Sequence, residues 1–238
     1  CLLSRGLGDV YKRQVFWIAL AICTLFVVYG AILPKQLEAI TQNITSFIAV
    51  NFSWYYLLLV LIIFFICVYL LFSRYASITL GVEGEEPEFS LLSWFAMLFS
   101  AGMGIGLVFW TTAEPVSHAY KATPIHKIGT QAAINDAFQF AFFHWGIHAW
   151  AVYGIVALVF AYFNFHKGYP GLVSATLVPI FGEKRMRGPI GSAIDVLAVI
   201  ATVTGVAATL GFGALQINEG LHYLFKVPSH FGTQVIII

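Results

Sequence analysis

Charge is what this sequence has least of. Lys, Arg, Asp and Glu together make up 10% of its 238 residues, where a water-soluble domain carries about 25%. The shortage is concentrated. Arg13 and Lys35, Glu38 and Arg74, Glu88 and Glu114, Asp136 and Lys167, and Asp195 and Glu219 bracket charge-free runs of 21, 35, 25, 30 and 23 residues. Each run exceeds the roughly 18 apolar residues that suggest a membrane span. A soluble enzyme built on one core and a disordered chain are excluded. Twelve basic and eleven acidic residues leave a net charge of +1, so no long-range field draws in nucleic acid or an acidic partner. Cysteine is scarce too. Cys1, Cys23 and Cys67 cannot make a full disulfide framework, and the last two lie in apolar runs where packing is their role. Strand-like alternation is missing from the runs, and each is too long for a barrel strand, which excludes an outer-membrane barrel. What is present is apolar: 60% hydrophobic residues and a mean hydropathy of +0.86. The sequence reads as an all-α integral membrane protein.

The runs predict helices over about 15–33, 52–72, 91–112, 137–165 and 191–216, with a sixth beginning at 231–238. Residues 1–14, CLLSRGLGDVYKRQ, differ in character from the rest of the chain. They carry no helical apolar stripe and no signal-peptide pattern, and are expected to be a non-native extension. The last run stops after eight residues, far short of the ~20 that cross a bilayer, so the chain is expected to be cut inside its sixth helix. With a cytoplasmic N-terminus, eight basic residues lie inside (Arg5, Lys12, Arg13, Arg74, Lys167, Lys184, Arg185, Arg187) and four outside (Lys35, Lys121, Lys127, Lys226). Without the first fourteen residues the count is five against four. The N-terminus is expected to be cytoplasmic.

The third run holds Gly102, Gly104 and Gly106. Gly102 and Gly106 are four apart, the small-xxx-small pattern that lets membrane helices approach closely. Three glycines in five residues also loosen a helix, freeing carbonyls for a cation and offering a half-helix N-terminus to an anion. In the fourth run, continuous helical spacing places Trp145, Trp150 and Tyr153 at about 0°, 140° and 80°, on one side. Aromatic faces stabilise a quaternary ammonium by about 2 kcal/mol or more when desolvated; a packed aromatic seam is the alternative. His144 and His148, at i and i+4, match a metal-ligand pair, which leaves a membrane metalloenzyme as a competing reading, or serve helix packing. The fifth run puts Thr202, Val206 and Thr209 on one face. The two threonine hydroxyls suit a bond to the preceding carbonyl, helix association or a cation's oxygen cage.

Four segments, ITLG followed by EPEFS, AGMGIGLVFWTTAEP, FHWGIHAWAVY and IATVTGVAATLGFGALQI, stand in order between Ile78 and Leu221. They resemble the betaine/choline/carnitine transporters, the BCCT family. The resemblance implies a symporter for quaternary ammonium osmolytes (glycine betaine, choline or carnitine) in the cytoplasmic membrane, coupled to sodium or protons, with no other cofactor and no resident metal. It implies about twelve helices in the inverted-repeat fold of the neurotransmitter-sodium symporters, with residues 15–238 as the N-terminal part, inactive alone. By the same resemblance Trp145, Trp150 and Tyr153 form an aromatic substrate box. Gly102, Gly104 and Gly106 belong to an unwound substrate-binding segment, and Ser100, Met103 and Thr202 are coupling-ion positions. Val206 stands where the sodium-coupled betaine carrier has a second threonine. Gly106, in place of an acidic residue, favours zwitterionic betaine over cationic choline. Expected partners are the substrate, the coupling ion and the bilayer, with a homo-oligomer left open.

Overall fold

A computed structural model of the protein describes residues 2–81, 84, 86–102, 104–123 and 125–237. The elements in chain order are α1 (Leu2–Ile32), α2 (Pro34–Phe72), a 3-10 turn (Arg74–Ser77), α3 (Leu91–Gly102), α4 (Ile105–Tyr120), α5 (Gln131–His144) and α6 (Ile147–Ala161). A π-helical turn (Tyr162–His166) follows, then three one-turn helices α7 (Val173–Thr176), α8 (Val178–Phe181) and α9 (Glu183–Met186), a long α10 (Pro189–Phe225) and α11 (Phe231–Ile237). Among the described residues there is no strand. Among the described residues four stretches are long and apolar enough to cross a membrane: Arg13–Ile32, Pro34–Phe72, Gln131–His166 and Pro189–Phe225. Leu91–Ser100 is a shorter apolar helix.

Several boundaries differ from those hydropathy predicts. Helix α1 begins at Leu2 and runs through Gln14 into the first span without interruption. The polar stretch after Pro34, expected as a connection, is the first part of α2. Proline at the first helical position lacks only a donor that would be unsatisfied there anyway and already holds a helical φ. No Gly or Pro stands between Lys35 and Phe72. The third span does not close at Glu114 and Pro115, since α4 carries Pro115 inside it and continues to Tyr120. Helix α10 outruns the predicted 191–216 at both ends.

The chain divides into two compact units, Cys1–Glu85 with Ile147–Thr202, and Glu86–Gly146 with Val203–Ile238. In the first, α2 packs against α6. The Cys67 thiol donates to the Ala151 carbonyl at 3.5 Å, and Phe64 lies against the His148 ring at 5.7 Å. Val15 and Ala19 of α1 form a small core with Val196 and Ile200 of α10. Asp195, buried, accepts from the Ser174 amide at 2.9 Å and its hydroxyl at 2.6 Å, tying α7 to the start of α10. In the second unit α4 and α5 pack as a hairpin, and Ala119, Ala133 and Ala137 are buried. Such small side chains let helix backbones approach. Thr130 caps α5 by accepting from the Ala133 amide. Buried Asp136 holds the preceding loop through the amide and ring of His126.

Helix α2 has no buried residue. Leu57 is 62% exposed and Phe65 59%, an apolar surface that water does not tolerate in such extent and lipid does.

Candidate functional site

The glycine-rich segment interrupts the helix. Helix α3 ends at Gly102, and α4 starts at Ile105 after Gly104, which is extended at φ −65° and ψ 171°. Any residue adopts those angles, so what glycine contributes at 104 is the lack of a side chain. The first turn of a helix has amide groups without intrahelical partners and the positive end of the macrodipole. Helix α4 therefore opens on a position that favours a negative group. Gly106, in that turn, lies where a Cβ would come 3.4 Å from Cγ2 of Thr209. One turn later Phe109 stacks on Phe212, with centroids 4.8 Å apart, and Trp110 meets Phe212 edge-on at 5.5 Å. One helix thus ends at Gly102, the next opens after Gly104, and Gly106 lies close to Thr209. Ser100 stands exposed near the end of α3. Met103 lies outside the described residues.

A second interruption, absent from the predicted helices, lies in the fourth span. The expected continuous helix over 137–165 is α5 and α6, with Trp145 and Gly146 between them. A Cβ on Gly146 would sit 2.5 Å from the Phe142 carbonyl oxygen, closer than side-chain carbons come to backbone, so only glycine fits. Trp145 lies between the two helices, where the sequence reading expects one continuous helix. Trp150 and Tyr153, both on α6, are together, with ring centroids 6.0 Å apart and planes tilted by 41°. Trp145 is the residue that caps α5. His144 is the last residue of α5, and His148 stands in the first turn of α6. His144 is engaged by Glu114 and His148 lies against Phe64. Among the described residues no group of three or more His, Cys, Asp or Glu could hold a metal.

Glu114 is the residue that sequence reasoning passed over as the end of a span. It is 8% exposed. Nδ1 of His144 lies 2.9 and 3.0 Å from its two oxygens, the Trp145 indole N–H donates to Oε2 at 2.7 Å, and Nε2 of His118 is 3.5 Å from Oε1. A carboxylate in an apolar helical setting is expensive unless surrounded by donors. The available signal was a single carboxylate directly after a long charge-free run. Asn218, wholly buried, donates to Ser229 at 3.0 Å and was also missed.

On α10, the Thr202 hydroxyl donates to the Ala198 carbonyl at 2.8 Å and that of Thr209 to the Gly205 carbonyl at 2.9 Å. These are the local bonds that Thr makes within helices. The Thr202 oxygen keeps its lone pairs.

A sequence model of the family described as BCCT, betaine/carnitine/choline family transporter, matches residues 14–238. The chain belongs to this family. BCCT proteins are transporters, not enzymes, and the metalloenzyme alternative built on His144 and His148 falls. Over 225 residues the chain is 54% identical to the glycine betaine transporter OpuD of Bacillus subtilis (strain 168), covering 94% of this chain and 44% of that one. It is 42% identical over 227 residues to an ectoine/hydroxyectoine transporter of Virgibacillus pantothenticus, covering 95% and 45%. It is 37% identical over 230 residues to the osmo-dependent choline transporter BetT2 of Acinetobacter baylyi (strain ATCC 33305 / BD413 / ADP1), covering 97% and 33%. The chain spans less than half the length of these relatives. Family membership and its long apolar helices make it a multi-pass membrane protein.

Proposed function

We propose that this chain is the N-terminal part of a secondary symporter that imports a quaternary ammonium osmolyte, glycine betaine foremost, across the cytoplasmic membrane. The observation that carries the reading is the BCCT match over residues 14–238. The fold proposed for the whole is the inverted-repeat architecture, with the N-terminus cytoplasmic and residues 1–14 outside the transporter domain. The family match begins at residue 14, one residue inside that proposed segment.

The aromatic residues assigned to the trimethylammonium group are Trp150 and Tyr153, paired on α6, and Trp145. A quaternary nitrogen has no proton to donate, so selectivity rests on aromatic faces. The carboxylate of betaine suits extended Gly104 and the start of α4 at Ile105 and Gly106, a half-helix N-terminus, with Gly102 at the end of α3 assigned to the same segment. Gly106 offers no negative charge, which favours a zwitterion over a cation. Coupling is by sodium or protons. Ser100, Met103 and Thr202 are the residues assigned to the ion.

The test is uptake of labelled glycine betaine by the full-length transporter in bacteria lacking their own betaine uptake. Saturable accumulation under hyperosmotic stress supports the reading. A protein correctly inserted and abundant that accumulates none of glycine betaine, choline and carnitine overturns it.

A further inference from the structure

We propose that Glu114 is a positioning residue, whose carboxylate fixes the orientation of the Trp145 ring and so sets which face that ring offers to a cationic headgroup. The inference rests on the assignment of Trp145 to the substrate.

The geometry begins with where Trp145 stands. It follows the last residue of α5 and precedes Gly146, at a join where no Cβ fits. A side chain inside a helix is held by the turn beneath it. Trp145 stands just beyond the last turn of α5, its ring 5.0 Å from that of His144. An indole has one polar atom, the Nε1 hydrogen, and here that atom donates to Glu114 Oε2 at 2.7 Å. Holding the edge of the ring restricts rotation about both side-chain torsions.

Glu114 is fit to serve as such an anchor. It stands on α4, is 8% exposed, and is held from two further directions by His144 Nδ1 at 2.9 and 3.0 Å and His118 Nε2 at 3.5 Å. A carboxylate has about four lone-pair sites, so one oxygen can serve the indole while His144 spans both. Cation–π attraction depends on the cation lying over the ring face within about 6 Å of its centre, so turning the ring off its hydrogen bond weakens binding without removing any substrate contact made by Glu114 itself. A negative acceptor on the N–H also pushes electron density toward the ring, which strengthens its face.

A bland alternative is that Glu114 only ties α4 to α5. The two differ in what they move. The experiment uses the full-length transporter labelled with 5-fluorotryptophan, the Trp145 fluorine resonance being assigned by its loss in Trp145→Phe. Glycine betaine uptake is measured for Glu114→Ala, Glu114→Gln and Trp145→Leu at matched amounts of inserted protein. Glu114→Ala is expected to displace the Trp145 resonance without substrate and to raise KM about 10-fold, with Vmax within about twofold. Glu114→Gln, which keeps an oxygen acceptor for the indole, is expected to hold the resonance near its original position and KM within about threefold. An unmoved resonance and unchanged KM in Glu114→Ala overturn the proposal, as does a Glu114→Gln protein with a displaced resonance and a KM raised about 10-fold. Should Glu114→Ala fail to insert, Glu114→Gln alone decides by the same criteria. Trp145→Leu separates the two levels: unchanged KM there removes Trp145 from the substrate, whereas raised KM there with a silent Glu114→Ala removes only the positioning role.

Discussion

The Trp145 indole donates to the Glu114 carboxylate at 2.7 Å across 31 positions of sequence, and the same carboxylate receives His144, the last residue of α5. A buried charge on α4 thereby meets the end of α5 where that helix stops. Helix C-termini repel negative charge, so side-chain donors are what make this placement tenable. Trp145, proposed to meet the substrate, is also one of the residues that tie the end of α5 to α4.

Trp150→Leu keeps apolar bulk on α6 and removes the indole face that pairs with Tyr153. Loss of cation–π attraction of about 1–2 kcal/mol corresponds to an affinity about 5- to 30-fold weaker. Tracer uptake of glycine betaine against concentration checks it, and unchanged kinetics remove Trp150 from the site.

Gly146→Ala places a carbon 2.5 Å from the Phe142 carbonyl oxygen. Forcing extra volume against fixed backbone costs about 1–3 kcal/mol. The expected outcome is a lower thermal unfolding midpoint of the purified transporter together with slower uptake. A variant with the parent's midpoint shows that the join relaxes freely.

At Gly106 the size of the substituent matters more than its presence. A single Cβ meets Thr209 at 3.4 Å, close to ordinary van der Waals contact, so Gly106→Ala is expected to transport at a rate within about threefold of the parent. Gly106→Leu adds three further carbons at the start of α4, and it is expected to lose transport while still inserting, since Leu favours the membrane. Uptake and membrane abundance measured together check both. Normal transport by Gly106→Leu means that neither close packing nor substrate approach constrains this turn.

How much of this was legible depends on range. The all-helical class followed from five charge-free runs, because a bilayer leaves no other use for them. The glycine interruption was legible as well, since Gly102, Gly104 and Gly106 weaken the helix locally. The helical start of α2 was not. Lys35, Glu38 and Asn43 lower hydropathy but do not oppose helix, and Pro34 reads as a terminator although it sits at a helix start. Nor was the join at Trp145 and Gly146, because hydropathy does not fall there and one glycine seldom ends a helix. Glu114 was visible as a lone carboxylate, yet its partners His144 and Trp145 are set by the packing of α4 on α5, which spacing along the chain does not encode.

Thr202 already donates its hydroxyl hydrogen to Ala198, and Val206 has no oxygen to add beside it. A hard cation takes several oxygens, so Thr202→Val is expected to move the sodium concentration for half-maximal uptake by less than about threefold, or about 0.6 kcal/mol. Initial uptake rates against sodium at fixed pH check this. Complete loss of sodium activation makes the Thr202 hydroxyl essential, and uptake in the parent driven by a pH gradient without sodium assigns coupling to protons.

The central claim is that this chain belongs to a carrier that selects its substrate by a methylated, proton-free nitrogen. It is tested most directly by counterflow of labelled glycine betaine in proteoliposomes of the full-length transporter, in competition with dimethylglycine, sarcosine and glycine. Each methyl removed gives the nitrogen a proton to keep in water and takes contact from the aromatic faces. Inhibition is predicted to weaken stepwise along that series, with glycine inert. Equal inhibition by all four, or none by glycine betaine itself, would contradict the account.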